Sequence, residues 1–305
     1  MLVLLNGIPF FSKKTVKDLN DFDTKNYYIF CNTYESKLAQ LKFILLLPFC
    51  NTVISFNGVS DESKSLNWVM KFNKKLIMQW HGTDVKLAKE RMLNGSINRK
   101  YIDYAAIHLA SAQWFVEELH GIVPEILYAP FGYVDKVGND RTYDEIKILT
   151  YIGNGNEEFY GWNDILRISK EFPNIHISVV GTEMKRSEVS NNIDFWGWVS
   201  EAELIQLMKE HPIFIRLTEH DGKAITVSQA LAVGSEVLWT YPYPNCHQIN
   251  QNSSELFDIL AHMISQINKR GMKPNEESIK FAKKHLLKET VMIEYLEVLK
   301  QIIND

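Results

Sequence analysis

A polar turn between two apolar segments carries the densest chemistry in this chain. The stretch from Phe214 to Pro244 reads FIRLTEHDGKAITVSQALAVGSEVLWTYPYP. An apolar run over Ile213–Leu217 has the character of a buried strand, a polar loop follows over Thr218–Lys223, and a helix is predicted to begin near Ala224–Thr226. The start of a helix offers N–H groups without intrahelical partners and the positive end of the helix dipole. Phosphate binds well at such a place. Gly222 allows backbone to come close to a ligand. Asp221 could accept hydrogen bonds from sugar hydroxyls, and Gln229 could reach a ribose. The competing reading makes Asp221 a helix cap in an ordinary strand-to-helix turn, since Asp is favoured at that position. Arg216 and Lys223 flank the acidic loop and are its two cations. One reading pairs Arg216 with Glu219 or Asp221 as a structural ion pair.

Two more segments place reactive groups at the ends of apolar runs. His81, in QWHGTD, closes a predicted strand where a parallel sheet presents ligands, with Asp84 either capping the helix after it or orienting an acceptor hydroxyl. Asn6-Gly7 follows the first apolar run and predicts a tight turn. It lacks the G-x-G-x-x-G dinucleotide fingerprint, so a dehydrogenase is not expected.

The elements that must hold these residues alternate. Short runs, several apolar on both faces, occur at Leu2–Leu5, Tyr27–Cys31, Thr52–Phe56, Leu76–Trp80, Ala106–Ala110 and Glu125–Tyr128, and again at Ile146–Ile152, Ile175–Val180, Ile193–Trp196, Ile213–Leu217 and Glu236–Thr240. That is the pattern of parallel strands buried under helices. Helical patterns fill Tyr34–Leu47, Lys64–Phe72, Ile97–Tyr104 and Ala112–His120 in the first half. In the second they fill Gly161–Glu171, Glu201–Lys209, Val227–Ala232, Leu256–Asn268, Glu276–Leu287 and Glu289–Ile303. The pattern breaks over Phe131–Glu145, where a linker or hinge is predicted. The opening MLVLLNGIPFF reads as a first strand, not a signal peptide, because it has no basic start and no small-residue cleavage site. The fold class is therefore α/β, with two Rossmann-like doubly wound domains, and a central cleft between them is the expected site.

The segment HDGKAITVSQALAVG resembles the donor-binding signature of retaining glycosyltransferases of family four, which have the GT-B fold. Asp221 matches the first acid, Gly222 the glycine, and Ala230, Leu231, Ala232 and Gly234 the tail; Gln229 stands where the family places a second Glu that binds ribose. YIGNGNEEFYGWNDILRI resembles the segment that opens the nucleotide domain, ISVVG its second strand, and IDFWGWVSEAELIQLMKE the segment flanking the base. QWHGTDV, ASAQWFVEEL and YAPFGYVD resemble segments of the other domain in the same order. One departure is marked: the family places an Arg and a Lys after the strand equivalent to Ile146–Ile152, where they neutralise the donor diphosphate, and the loop Gly153–Gly161 contains neither, so Arg216, Lys223 and backbone N–H groups are expected to take that role.

The resemblance implies an acceptor domain over residues 1–138, a nucleotide-sugar domain over 139–288, and a segment 289–305 that packs back on the first. It implies His81, Asp221 and Arg216 as catalytic residues. Gly7, Gly153, Asn154, Asn156, Glu219, Gly222, Lys223, Ala224, Ile225 and Gln229 would face the donor, and Asn6 and Asp84 the acceptor. The donor would be a UDP- or GDP-linked sugar and the acceptor a glycan, a lipid-linked hydroxyl or a small hydroxyl compound. Transfer would retain configuration without a dedicated metal ion or other cofactor. Alternatives are a nucleotide-sugar 2-epimerase, which fits the acid-Gly pattern less well, and a non-catalytic GT-B partner subunit.

Composition narrows the remaining classes. Among 305 residues, 46% are hydrophobic and 23% charged, which excludes a disordered chain. The net charge of −4 argues against nucleic acid as partner. Cys31, Cys50 and Cys246 form neither a disulfide framework nor a C-x-x-C pair, so a reducing, cytoplasmic setting is expected. No H-E-x-x-H or related spacing suggests a metal site. The apolar stretch Leu41–Phe56 is interrupted by Lys42, Pro48, Asn51 and Thr52 and is too short to cross about 30 Å of hydrocarbon, though docking on a membrane surface stays open. Lys280–Lys288 reads as a solvated amphipathic helix or a second membrane-surface contact. The aromatic groups Phe159/Tyr160/Trp162, Trp196/Trp198 and Trp239/Tyr241/Tyr243 could stack on base or sugar, or fill the core.

Overall fold

The computed structural model describes residues 1–183 and 190–303. The chain divides into two units. The first is Met1–Phe131 together with the segment from Glu289; the second is Gly132–Lys288.

The first unit is built on a six-stranded parallel sheet. Its strands are β1 (Leu2–Gly7), β2 (Tyr27–Phe30), β3 (Thr52–Phe56), β4 (Lys75–Trp80), β5 (Ile107–Ala110) and β6 (Ile126–Tyr128). The order is β2-β1-β3-β4-β5-β6, in a register that sets Val3 beside Thr52 and Ile54 beside Ile77. All five residues of β3 are buried, as a run apolar on both faces requires in a central strand. Crossovers are made by α1 (Pro9–Phe22), α2 (Lys37–Leu46), α3 (Lys64–Lys71), α4 (Thr83–Leu93), α5 (Arg99–Tyr104) and α6 (Trp114–Glu118). Ser36 caps α2 by accepting from Ala39 N–H and Ser63 caps α3 by accepting from Leu66 N–H. The opening segment is not all strand. Gly7 ends β1, and Pro9 stands at the first position of α1, where its missing N–H costs nothing.

The second unit repeats the plan with β7 (Lys147–Tyr151), β8 (His176–Val180), β9 (Ile193–Gly197), β10 (Ile213–Arg216), β11 (Glu236–Trp239) and β12 (Cys246–Gln248). Its order is β12-β11-β10-β7-β8-β9, again all parallel. The helices are α7 (Trp162–Glu171), α8 (Glu201–Glu210), α9 (Ile225–Ala232), α10 (Leu256–Lys269) and α11 (Glu276–His285). Strand β12 has no counterpart in the sequence reading, since CHQ is too short and polar to stand out. Two Rossmann-like doubly wound α/β sheets therefore make up the chain.

The units divide after Phe131, ahead of residue 138. The reason is local: Val134 N–H donates to Leu286 O (2.8 Å), Lys288 N–H to Val134 O (3.1 Å) and Gly138 N–H to Ala232 O (2.8 Å), which ties this irregular segment to the second unit. The last helix, α12 (Lys288–Ile303), groups with the first unit from Glu289 onward; residues 304–305 of the expected 289–305 segment lie outside the described residues. Tyr295, 1% exposed, donates its hydroxyl to Gln79 Oε1 on β4, and Lys75 Nζ donates to Ile302 O at 2.7 Å.

The Gln79 amide nitrogen is buried without a partner, so Tyr295 supplies what satisfaction that side chain has. Tyr295→Phe should lower the unfolding free energy by about 1–3 kcal/mol, because it orphans a buried acceptor. The double substitution Tyr295→Phe with Gln79→Met should cost less than the single one, since both polar partners leave together; urea unfolding of the two variants checks the order.

Candidate functional site

Strand order reverses once in each sheet: between β1 and β3 in the first unit, and between β7 and β10 in the second. Loops leaving the carboxyl ends of such strand pairs diverge and leave a crevice. Most of the candidate site residues fall on these loops, and His81 and Asp84 fall after β4 beside β3.

In the second unit, the loop after β7 carries Gly153, Asn154 and Asn156. It is tightly folded. A Cβ on Gly153 would lie 2.6 Å from the Tyr160 ring, Asn156 N–H donates to Gly153 O at 3.2 Å, and Thr182 Oγ1 donates to Asn154 Oδ1 at 3.3 Å. The loop after β10 is locked against it. Glu219 N–H donates to Phe159 O (2.8 Å), and the Gln251 amide donates both to Phe159 O (3.0 Å) and to Leu217 O (2.6 Å). Gly161 has φ +73° and a Cβ there would lie 2.6 Å from Leu217 O, so only glycine fits this crossing.

Arg216 closes β10 and its guanidinium grips Asp221: Nε donates to Oδ2 at 2.5 Å and Nη2 to Oδ1 at 3.2 Å. Thr218 Oγ1 also donates to Oδ2 (3.2 Å), and Asp221 N–H donates to Tyr241 Oη (3.1 Å). The guanidinium lies 5.6 Å from the centres of both the Tyr151 and Tyr160 rings. Burial works against its charge, but the Asp221 carboxylate outweighs that and raises the Arg216 pKa. Of the two readings for Arg216, the geometry realises the ion pair. A buried charge needs an opposite partner, and here that need absorbs both Arg216 and the oxygens of Asp221. These two expected catalytic residues therefore shape the turn together.

The cap reading for Asp221 is not realised either. Ala224 is the cap residue of α9 and provides no side-chain acceptor, so the helix starts uncapped at Ile225. The Thr226 hydroxyl in this first turn is buried without a partner. Gly222 is buried in the turn before it, and Lys223 Nζ lies 5.8 Å from the Tyr243 ring centre. Gln229, on the same helix, is 5% exposed; its amide donates to Glu201 Oε1 at 2.9 Å while its own oxygen has no partner. The sequence did not single out Glu201, because its contact with Gln229 shows only once α8 and α9 are side by side.

In the first unit, His81 is enclosed by aromatic rings. Phe11 and Phe56 stack on it at 5.4 and 5.2 Å between centres, and Phe131 meets it edge-on at 4.8 Å. Burial lowers its pKa to about 3, so the ring is neutral, and Nε2 has no partner. Asp84 is not the cap of α4, which is Gly82, but lies in its first turn and gathers backbone around it. Its carboxylate accepts from the backbone N–H groups of Gly58 (2.7 Å), His81 (3.0 Å), Gly82 (2.7 Å) and Val85 (3.0 Å). Burial nonetheless raises its pKa. Asn6 is 1% exposed; its amide donates to Ser65 Oγ (3.3 Å) and its oxygen is orphaned. Gly7 has φ +119°, and a Cβ there would lie 2.5 Å from Phe56 O, so its job is to let β1 pass β3.

Beyond the carboxyl ends of β1, β2 and β3 lies a cavity of about 600 Å³, lined among others by Ile8, Tyr34, Asn57, Glu62, Ser65 and Trp68. Asp84 reaches its wall; His81 does not. The segment Asn57–Ser65 was not singled out in the sequence, although a polar loop beside a strand reversal is a signal for it. Of the candidate stacking aromatics, Trp239 (0%) and Trp162 (8%) are core residues, whereas Trp196 and Trp198 are exposed on β9 and just after it. Among the described residues no cluster of three or more His, Cys, Asp or Glu side chains is arranged to hold a metal.

No family model matches the chain, and no curated protein matches it in sequence. Solved structures match its fold. HepE of Anabaena in complex with UDP and glucose aligns over 99% of this chain and 100% of its own, with a TM-score of 0.73 at 10% identity. Sucrose-phosphate synthase of Thermosynechococcus elongatus aligns over 100% of both chains, with 0.72 at 9% identity. The lipopolysaccharide outer core galactosyltransferase WaaB aligns over 99% and 100%, with 0.63 at 13% identity. The pneumococcal O-GlcNAc transferase GtfA aligns over 87% of this chain, which spans 60% of GtfA, with 0.62 at 14% identity. The fold is thus GT-B.

Neutral histidines make stability depend on pH. Burial also lowers His108 and His211 to about 4, while all three take up a proton near 6.5 when unfolded. Their stability is fully present above about pH 6.5 and is lost as pH falls through the folded values. His81→Phe should remove about one proton from the slope of unfolding free energy against pH between 6 and 4.5, read from urea titrations. Asp84→Ala, which strips four N–H groups of their acceptor, those of Gly58 and Val85 fully buried, should destabilise the chain by about 3 kcal/mol or more.

Proposed function

We propose that this chain is a glycosyltransferase that moves a sugar from a UDP- or GDP-linked donor to a hydroxyl acceptor. The observation that carries the reading is the uncapped start of α9 at the strand reversal of the second unit, with Lys223 before it and the orphaned Thr226 hydroxyl inside it. Such a turn suits a diphosphate, whose negative charge meets free N–H groups and the helix dipole. The likeness in fold to proteins solved with UDP, with UDP and glucose or with UDP-glucose supports the choice of ligand.

In this reading the N–H groups of the first turn of α9 and Lys223 bind the diphosphate. The Arg and Lys that the resembling family keeps after β7 are absent, and Arg216 is committed to Asp221. Electrostatic stabilisation of the departing diphosphate thus falls to backbone and Lys223. Glu201, held by the Gln229 amide, supplies the carboxylate for the ribose hydroxyls in place of an acid at position 229. Gly153, Asn154, Asn156 and Glu219 shape the loops around the donor. In the first unit, His81 keeps an unpaired Nε2 open to a hydroxyl, and Asn6 and the cavity beside it receive the acceptor. The bond from the anomeric carbon to phosphate breaks as the glycosidic bond forms on the same face, and the acceptor's proton passes to a diphosphate oxygen. A protein that binds nucleotide without transfer is the second reading, favoured by the missing basic pair; a nucleotide-sugar 2-epimerase is the third.

Calorimetry with UDP and GDP, followed by assays of nucleoside diphosphate release from their sugars with and without glycan acceptors, tests this. Acceptor-dependent release supports transfer, binding without release supports the partner reading, and epimerised donor without acceptor supports the epimerase. Lys223→Gln and Glu201→Gln should each weaken nucleotide binding about tenfold or more, as loss of a charged hydrogen bond does, and leave thermal stability near wild type.

A further inference from the structure

Helix α2 is built the wrong way round for a helix that only covers a sheet. Leu38 (77% exposed), Leu41 (53%) and Leu45 (62%) face solvent, and Phe49 (74%) follows just after the helix. Phe43 alone of the helix is fully buried. At 3.6 residues per turn the three leucines fall within about 60° of one another, with Lys37 and Lys42 about 40° outside them on either side. Both lysines are exposed. Lys74 Nζ lies 3.3 Å from Pro48 O at the end of the same stripe. No acidic residue occurs between Ser36 and Ser60.

We propose that α2 docks the first unit onto a membrane surface carrying anionic lipid. A leucine stripe bordered by lysines suits the boundary between acyl chains and phosphate headgroups. A second copy of the chain suits it less, since a two-fold contact would bring the same lysines together. No helix among the described residues is long and apolar enough to cross a membrane, so the contact lies on the surface. The other side of α2 gives the docking its purpose. Gln40, Phe43 and Ile44 line the cavity beyond β1 and β3, as do the exposed Tyr34 and Leu87. Docked through α2, the chain presents that cavity beside the lipid headgroups. Resting on the glycosyltransferase reading, this assigns the acceptor to the class of hydroxyl compounds anchored in the membrane.

The test is co-sedimentation of the full chain with vesicles of phosphatidylcholine alone and with 30% phosphatidylglycerol, at low and high salt. Binding should require the anionic lipid and weaken with salt. Lys37→Gln and Lys42→Gln should each weaken it about fivefold, and Leu38→Ser with Leu45→Ser should abolish it. All four positions are exposed, so circular dichroism and melting should match the wild-type chain. Equal binding to neutral vesicles, variants that bind like wild type, or no vesicle binding at all would overturn the proposal. So would self-association in sedimentation equilibrium that the leucine substitutions abolish. Vesicle binding needs no nucleotide, so its failure leaves UDP binding, the readout for the transferase reading, untouched.

Discussion

A parallel sheet whose strand order reverses must send neighbouring crossovers to opposite faces, and nothing covers the loops where they part. Both sheets of this chain meet that constraint, between β1 and β3 and between β7 and β10. Polar backbone and side chains in these loops must find partners or stay open to a ligand. The molecule does some of each. The loops after β7 and β10 bind one another through Glu219, Phe159 and Gln251, while the first turn of α9 keeps its N–H groups uncapped.

Two carboxylates in these loops solve the same problem by different chemistry. Asp221 meets a guanidinium, and the pair holds the turn before α9 in one shape. Asp84 meets only backbone N–H groups, drawing the loop after β3 onto the turn after β4. The first arrangement sets charge against charge and raises the Arg216 pKa; in the second, burial raises the Asp84 pKa despite the N–H groups that lower it. In both cases a residue that could have served chemistry serves shape, and the groups left without partners mark the open positions: His81 Nε2, Asn6 Oδ1, Thr226 Oγ1 and the Gln229 oxygen.

Much of the architecture was legible in the residues. Buried parallel strands are apolar on both faces, so Thr52–Phe56 and His176–Val180 announce themselves. Edge strands do not; β12 is three residues long and half exposed. The opening helix α1 was hidden because its first residues, Pro-Phe-Phe, continue the apolar character of β1. At the site, the turn Arg216–Ile225 could be found from glycine, charge and spacing. The Arg216–Asp221 pair, five residues apart, was legible there too. Partners from distant segments were not: His81 finds Phe11, Phe56 and Phe131 from three other segments, and Gln229 finds Glu201 on a different helix. Such pairings depend on distances in space that spacing along the chain does not encode.

The seat of α12 against β4 has a bearing on how the molecule is made. The Tyr295–Gln79 hydrogen bond joins positions 216 apart, and Lys75 reaches a carbonyl 227 residues downstream. A ribosome therefore releases the first Rossmann sheet long before the helix that shields it. The second sheet is contiguous in sequence and can close while translation continues. The half made first is thus finished last, and until then the flank awaiting α12 must be kept from other nascent chains.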